Sequence, residues 1–142
     1  MTEKTLAALS SALYLSRLSL AGQTLTDDQR IRASGLDPDW TPGAYAVGEV
    51  RNAGGQTWEC HQAHDNAVYP DIAPGSSAWF TFWRPLHGTS PETARHFVQP
   101  QHGTTDIYHI GEYMTLDGTL YRCLSDTNFS PTDYAAAWEP VQ

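Results

Sequence analysis

The sequence contains few of the residues that place a chain in several common protein classes. It has two cysteines in 142 residues, too few for the disulfide framework of a small secreted domain. It shows no signal peptide and no apolar run long enough to span a bilayer, so we expect neither secretory export nor membrane insertion. The G-x-S-x-G, H-E-x-x-H and phosphate-loop patterns are missing, and we therefore expect a non-enzymatic protein without catalytic residues or cofactors.

Basic residues are also scarce. Eight lysines and arginines against sixteen aspartates and glutamates give a formal net charge of −8, and the negative excess lies after residue 36. An acidic surface repels phosphate backbones, so we expect no nucleic-acid partner and no anionic polymer. A neutral or cationic partner fits this charge better.

What the sequence does contain is an internal repeat. Residues 44–60 read AYAVGEVRNAGGQTWEC, and residues 107–123 read IYHIGEYMTLDGTLYRC. Each copy is followed by a closing Trp-X-Pro segment. Because two copies are too few for a solenoid, the repeat predicts two small β modules in tandem. At a constant offset of 63 the matched pairs are Tyr45 with Tyr108, Gly48 with Gly111, Glu49 with Glu112, Gly55 with Gly118, Trp58 with Tyr121 and Cys60 with Cys123.

Each copy is predicted to form a β-hairpin followed by a proline-containing loop that ends at a tryptophan. Asp117-Gly118 between two β-prone runs is a strong hairpin signal, and residues 52–55 supply the matching turn in the first copy. The predicted strands are residues 45–51 and 56–62 in the first copy and 112–116 and 119–124 in the second.

The aromatic residues that recur in both copies are predicted to form the cores, since a module this small needs large rings to bury enough surface. The two cysteines occupy equivalent positions and are predicted to be separate buried thiols. The alternative, a disulfide between them, would require the two modules to pack around a local dyad. The recurring aromatics are Tyr45, Trp58, Trp83, Tyr108, Tyr121 and Trp138.

The first 36 residues are predicted to form a helical arm. Leucines at three- and four-residue spacing predict a helix over residues 2–21. A second short helix is predicted from Asp27 to about residue 34, because Thr26 and Gln29 fit a capping box. The arm either packs on the first module or mediates self-association and docking into a larger assembly. The predicted domains are the arm (1–36), a first β module (37–86), a linker (87–96) and a second β module (97–142).

The order of aromatic, glycine, strand, glycine turn, aromatic strand, proline-containing loop and terminal tryptophan resembles the chitin-binding type-3 family, or carbohydrate-binding module families 5 and 12. It is also similar to the small repeats of that type in bacteriophage tail and fibre proteins. The residues that carry the resemblance are Trp40, Tyr45, Gly48, Gly55, Trp58 and Trp83 in the first copy and Tyr108, Gly111, Gly118, Tyr121 and Trp138 in the second.

The resemblance implies a mainly β fold with an N-terminal α-helical arm and two three-stranded antiparallel carbohydrate-binding-like modules. It also implies a pair of exposed aromatics after the third-strand position, and here residues 59–64 and 122–126 contain none. Sugar rings stack on flat aromatic faces. The residues that could bind a sugar are therefore the aromatic residues at other positions of the loops and one tyrosine on a strand. These candidate carbohydrate-binding residues are Tyr69, Trp79, Phe80, Tyr113, Phe129 and Tyr134.

The expected function is that of a phage virion protein, a tail, fibre or decoration component made in the host cytoplasm. Its modules would face host surface glycans, and its arm would contact copies of itself and other virion proteins. Two alternatives remain open: a purely structural virion protein that binds no sugar, and an accessory glycan-binding module of a chitinase-like enzyme.

The histidines and repeated glutamates are assigned no site. Cys60, His61, His64 and Asp65 are spaced like metal ligands, but a structural zinc site needs four placed ligands, and we expect no metal. Most of the remaining histidines, His87, His96, His102 and His109, are expected to be solvated. Glu49 and Glu112 are interpreted as charges at strand edges that discourage edge pairing.

Overall fold

The computed structural model describes residues 25–101, 103 and 105–142, and the fold is mainly β with small antiparallel sheets. The predicted helix over residues 2–21 lies outside the described residues. Within the described ranges, no helix has the length and apolar composition needed to cross a bilayer. The elements are helix α1 (Asp27–Arg32), strands β1 (Ala44–Tyr45), β2 (Val50–Ala53), β3 (Gln56–Cys60), β4 (His64–Asp65), β5 (Trp83–Pro85), β6 (Arg95–His96), β7 (Tyr113–Leu116), β8 (Thr119–Cys123) and β9 (Trp138–Val141), and 3-10 segments Ser34–Leu36, Trp79–Thr81, Pro91–Thr93 and Ala135–Ala137.

Helix α1 begins at the predicted capping box. The Thr26 side chain accepts a hydrogen bond from the Gln29 backbone at 3.2 Å, and the Gln29 side chain accepts one from the Thr26 backbone at 2.9 Å. The helix ends two residues before the predicted end, since the Ser34 hydroxyl donates to the Ile31 carbonyl at 2.6 Å and competes with the helical backbone bond.

The first hairpin belongs to a three-stranded antiparallel sheet in the order β2-β3-β5. Gly54 and Gly55 alone make its turn, with φ values of 60° and 79° that a type I′ turn requires. The predicted strand over residues 45–51 is interrupted, because Gly48 takes a φ of 95° and turns the chain. The residues before that turn form β1, which pairs with β4 in a separate two-stranded sheet.

The second hairpin lies in a four-stranded sheet, β6-β7-β8-β9, where three antiparallel strands were expected. Asp117 and Gly118 make its turn with φ values of 50° and 81°, as the Asp-Gly signal predicts. The additional strand β6 is parallel to β7. It comes from residues 87–96, the predicted linker, which lie along the outer edge of β7.

Both hairpins have this edge covered in the same way. The Phe97 backbone N–H donates to the Thr115 carbonyl at 2.8 Å, and the Trp40 N–H donates to the equivalent carbonyl of Asn52 at 2.8 Å. A segment upstream of each hairpin therefore lies parallel to its first strand. This cover blocks the row of free backbone groups that would otherwise invite pairing with another chain.

The repeat extends to individual hydrogen bonds. Gly48 and Gly111 both donate from a positive-φ backbone to the carbonyl of the equivalent cysteine, at 2.8 and 2.9 Å. The amide of each cysteine donates in return to the carbonyl of the following glutamate, at 2.8 Å in both copies. The participants are Gly48, Glu49 and Cys60 in the first copy and Gly111, Glu112 and Cys123 in the second.

Two aromatic clusters form the core, and the prediction for the recurring aromatics is confirmed, with Tyr121 packed at the margin. In each cluster the closing tryptophan meets the repeated tyrosine edge-on, at 5.0 Å between centroids in the first and 5.3 Å in the second. The buried apolar residues are Tyr45, Trp58, Cys60, Trp79, Phe82 and Trp83 in the first cluster and Tyr108, Met114, Cys123, Ala137 and Trp138 in the second.

The two cysteines are free and buried, as predicted. Each thiol donates to the carbonyl two residues later, Cys60 to Gln62 at 3.1 Å and Cys123 to Ser125 at 3.0 Å. Burial raises the pKa of both thiols, that of Cys123 to about 11. Both groups are therefore neutral thiols at physiological pH.

Helix α1 is tied to the first sheet by ion pairs. The Arg84 guanidinium donates to both carboxylate oxygens of Asp27, at 2.7 and 2.9 Å, and to Glu59 at 3.1 Å. Arg30 reaches Glu59 from the next turn of the helix. Burial raises the pKa of Asp27, but the hydrogen bonds and charge of Arg84 lower it by more, so that the net pKa is below its ordinary value.

Replacing Asp27 by asparagine is expected to lower the free energy of unfolding by about 2 kcal/mol at neutral pH, because it removes a bidentate charged partner from Arg84. The pKa of Asp27 is lower in the folded state than in the unfolded chain. Its contribution is therefore complete above about pH 4 and is lost as the pH falls through the folded value. Urea unfolding from pH 7 downwards should show the difference from wild type shrinking only below about pH 4.

The matched control for this substitution is Asp71→Asn. Asp71 is exposed, and its replacement is expected to change the free energy of unfolding by less than about 0.5 kcal/mol at every pH. A difference between wild type and Asp27→Asn that stayed constant down to pH 2 would contradict a role for the ionised carboxylate.

Candidate functional site

The most exposed aromatic pair in the described chain is Phe129 with Tyr134. Their side chains are 50 and 51% exposed, and their rings meet edge-to-face with centroids 6.4 Å apart. Together with Asp133 they line a shallow cleft of about 380 Å³. Two flat ring surfaces and one carboxylate therefore face solvent at one place.

The loop that carries this pair is held at several points. The Trp138 indole N–H, from the second core, donates to the Phe129 carbonyl at 2.9 Å. The Tyr134 backbone N–H donates to the Ser130 carbonyl at 2.8 Å, and the Phe129 N–H donates to the Thr127 hydroxyl at 3.0 Å. The rings are thus carried by a backbone that is ordered before any ligand arrives, which reduces the entropic cost of binding.

The sequence explains why Phe129 and Tyr134 meet although they are five positions apart. Ser130, Pro131 and Asp133 form a turn in which the Asp133 N–H donates to the Ser130 carbonyl at 3.1 Å. Proline fits the second position of such a turn, because its φ is already set. The turn reverses the chain and brings the two flanking rings together.

Trp79 and Phe80 lie in the first core and its margin. Trp79 is 8% exposed, and its ring is tilted against Trp58 with centroids 5.3 Å apart. Phe80 packs edge-on against Trp79 at 5.9 Å and is partly buried. The buried Trp79 ring packs inside the protein and presents no free face to a sugar.

The remaining two candidates occupy other places. Tyr69 is 46% exposed on the first loop and leans on Phe82, with centroids 5.2 Å apart, beside the exposed Val68. Tyr113 lies half-buried on β7, where its N–H donates to the Gly88 carbonyl at 2.9 Å. The six candidates thus comprise the paired rings, an exposed loop tyrosine, a half-buried strand tyrosine and two residues of the first core.

The repeated glutamates have a local structural role. Glu49 accepts a hydrogen bond from the Ala46 N–H at 2.7 Å, and Glu112 accepts one from the His109 N–H at 2.6 Å. Each carboxylate thereby closes the turn that leads into the hairpin. The interpretation as strand-edge charges stays a prediction beside this turn-closing role. The sequence signal for the turn-closing role is the glutamate that recurs directly after Gly48 and Gly111.

His87 is buried, an exception to the expectation that most of these histidines are solvated. Its ring stacks on Tyr108 with centroids 3.9 Å apart and an interplanar angle of 7°, and its Nδ1 lies 3.2 Å from a Glu112 oxygen. His64 is likewise stacked on Phe82 at 4.1 Å. In the described residues no group of three or more histidines, cysteines and carboxylates is arranged to hold a metal ion.

No protein-family model matches this chain, and no curated protein matches it.

Proposed function

We propose that this chain is a non-enzymatic phage virion protein, a tail, fibre or decoration component, in which two carbohydrate-binding-like β modules in tandem face host surface glycans. The observation that carries the glycan-binding part is the exposed Phe129–Tyr134 pair on its ordered loop. The virion part rests on the similarity of the repeats to those of phage tail and fibre proteins.

The paired rings have the chemistry of a sugar platform. The axial C–H groups of a pyranose stack on aromatic faces, and its hydroxyls need hydrogen-bonding groups beside those faces. Phe129 and Tyr134 supply the faces, and Asp133 and the Tyr134 hydroxyl supply polar groups. The resemblance to the chitin-binding family implies a pair directly after the third-strand position, which this chain lacks, so the proposed platform on the later loop rests on its own geometry.

The tandem arrangement supports avidity. The equivalent hydrogen bonds at Gly48 and Gly111 support the interpretation of the two copies as modules with the same structure. In the first copy, Tyr69 is the exposed aromatic residue of the loop. Two weak sites on one chain bind a repetitive surface more tightly than either alone. The net charge of −8 favours neutral or cationic glycans over phosphate-rich polymers.

A structural role without sugar binding is the second candidate. Val47 and Ile110 occupy equivalent positions beside the repeated glycines, and both are 66% exposed. Exposed apolar residues at matched positions also suit a protein interface. The two functions are separated by whether loss of the aromatic pair changes glycan binding or particle assembly.

Removing the paired rings tests glycan binding. We expect the full chain to be retained by at least one of three probes: insoluble chitin, cellulose or purified bacterial cell-wall glycan. Phe129→Ala and Tyr134→Ala should each weaken retention about tenfold, because each removes one stacking face. Val47→Ala, which removes exposed apolar surface at another place, should leave retention unchanged. Unaltered retention of the Phe129→Ala, Tyr134→Ala double variant would contradict the proposed site, and no retention on any probe would favour the structural role.

The solution mass tests the role of the arm. The full chain is expected to be a trimer or larger, and a truncated chain that begins at Leu25 is expected to be a monomer. Starting at Leu25 keeps the Thr26 cap and the pairing of Asp27 with Arg84, so that the truncated chain retains the contacts of α1 with the first sheet. Light scattering that found monomers in both cases would contradict self-association through the arm and favour the accessory-module alternative.

A further inference from the structure

A second cleft lies on the part of the first sheet that faces β6. It has a volume of about 640 Å³ and is bordered by the segment after the Ser34–Leu36 turn, by the β2–β3 turn and by Arg95. Its size is in the range of small-molecule sites. The side chains that matter for its chemistry are Asp37, Asp39, Trp40, Gln56 and Arg95.

Two buried nitrogen donors in this lining have no partner in the described residues. They are the indole Nε1 of Trp40 and the Nε of Arg95. Buried polar groups are nearly always hydrogen-bonded, so an unpartnered donor requires an explanation. Both atoms have almost no accessible surface, so the donors that Arg95 offers to a ligand in the cleft are those at the end of its guanidinium.

Arg95 has no acidic partner. One of its terminal nitrogens donates to the Ser34 hydroxyl at 3.1 Å, and among the described residues no carboxylate oxygen lies within 4 Å of it. Burial lowers the pKa of Arg95, as expected for a cation that is half withdrawn from water without compensation. The guanidinium therefore keeps unused donors.

The acceptors of the cleft are two carboxylates. Asp37 and Asp39 line it, and within the described chain neither side chain accepts a hydrogen bond from a protein group. Burial raises the pKa of Asp37, and the charge of Arg51 offsets this only in part. The cleft thus presents unused acceptors beside unused donors, both held by neighbouring segments of the chain.

The frame around these groups is fixed by hydrogen bonds. The Asn52 side chain donates to the carbonyls of Ser34 and Asp37, at 2.8 and 3.1 Å, and the Trp40 N–H donates to the Asn52 carbonyl. Gln56, in the lining of the cleft, donates to the carbonyl of His96. The polar groups are therefore positioned on a scaffold that needs little ordering when a ligand binds.

We infer that this cleft is a second glycan subsite, which takes one neutral sugar unit through hydroxyl groups that accept from the end of the Arg95 guanidinium and donate to Asp37 and Asp39. A hydroxyl both donates and accepts, so a polyol satisfies the two kinds of group together. The two carboxylates in the lining would repel a polyanion, and an apolar ligand would leave the Arg95 donors unpaired. The inference rests on the proposed glycan binding and adds a site away from the aromatic pair.

The test is NMR of the full chain, ¹⁵N-labelled, titrated with neutral trisaccharides of glucose, galactose, mannose and N-acetylglucosamine. At least one should shift the amides of Gly54 and Gln56 and the indole N–H of Trp40. Arg95→Gln and Asp39→Asn should each weaken this binding about tenfold, since each removes a charged hydrogen-bonding group. The exposed Arg122→Gln and Asp71→Asn are the matched controls and should bind as wild type does.

Several outcomes would overturn the inference. No shift at the cleft with any neutral trisaccharide would do so, as would tighter binding of inorganic phosphate or of a galacturonate trisaccharide. Full binding by both the Arg95→Gln and Asp39→Asn variants would do so as well. The Phe129→Ala, Tyr134→Ala double variant separates the two sites. Shifts confined to the loop at Phe129, and lost in this variant, would leave the proposed function standing without the cleft. Cleft shifts retained in this variant would support the cleft independently of the paired site.

Discussion

Replacing Trp83 by alanine is expected to cost about 3–5 kcal/mol of unfolding free energy, the range for truncation of a large buried aromatic residue. Trp83 is 1% exposed, meets Tyr45 edge-on at 5.0 Å and His64 at 5.5 Å, and lies opposite Cys60 on β3. It is thus the contact between the closing strand and the first core. Since domains of this size have about 5–15 kcal/mol of total stability, a large fraction of it would be lost.

Urea unfolding followed by far-ultraviolet circular dichroism measures this loss, and Phe129→Ala is its matched control. That substitution also removes an aromatic ring, but from a position that is 50% exposed, and it is expected to change stability by less than about 0.5 kcal/mol. Equal losses for the two variants would contradict the assignment of Trp83 to the core. Two separate transitions in the Trp83→Ala variant would show that the second cluster folds without the first.

Replacing Gly88 by alanine is expected to destabilise the protein by about 3 kcal/mol through steric overlap. A Cβ at Gly88 would lie 2.6 Å from the Thr93 Cβ and closer still to the Thr93 hydroxyl and carbonyl oxygens. The backbone of the Pro91–Thr93 turn cannot yield cheaply, because Thr93 is buried and its hydroxyl hydrogen-bonds to Asp28. The Gly88 carbonyl also accepts from Tyr113 at 2.9 Å, so a shift would disturb β7.

Gly43→Ala is the control for this prediction. A Cβ at Gly43 would meet nothing nearer than 3.9 Å, and its φ lies outside the left-handed region. Because alanine lowers the entropy of the unfolded chain, this variant is expected to be neutral or more stable by up to about 1 kcal/mol. Thermal unfolding of both variants decides the matter, and a Gly88→Ala protein as stable as Gly43→Ala would contradict the close approach at Thr93.

The features that the sequence predicts well are those with a local physical signature. Asp117-Gly118 and Gly54-Gly55 fix two-residue turns through the positive φ that they tolerate, and Thr26 with Gln29 fixes the start of α1. The core could be predicted for a different reason. An aromatic residue that recurs at the same strand position in both copies is expected to have the same structural role in each. The simplest such role is burial in the core.

The features that the sequence does not predict depend on contacts between distant segments. Residues 87–96 have neither period nor repeat partner, yet they carry the strand that covers β7 and the buried His87. Phe129 and Tyr134 become neighbours only through the Pro131 turn, and the Arg95 cleft needs three separate segments. The sequence position of Trp79 does not predict whether it is buried, because an aromatic side chain on a loop can point into solvent or pack back onto the core.

The way in which the loop after each hairpin is closed affects how the protein can evolve. In each copy the loop is shut by one bond next to the cysteine, His61 N–H to the Phe82 carbonyl at 2.8 Å and Leu124 N–H to the Ala137 carbonyl at 2.7 Å. Yet the enclosed segment, residues 61–82, is longer than its counterpart, 124–137. Because closing a longer loop adds little entropic cost, the hairpin frame accepts insertions, deletions and wholesale exchange of loop content. The loops can therefore evolve new binding surfaces while the hairpins and the buried core stay unchanged.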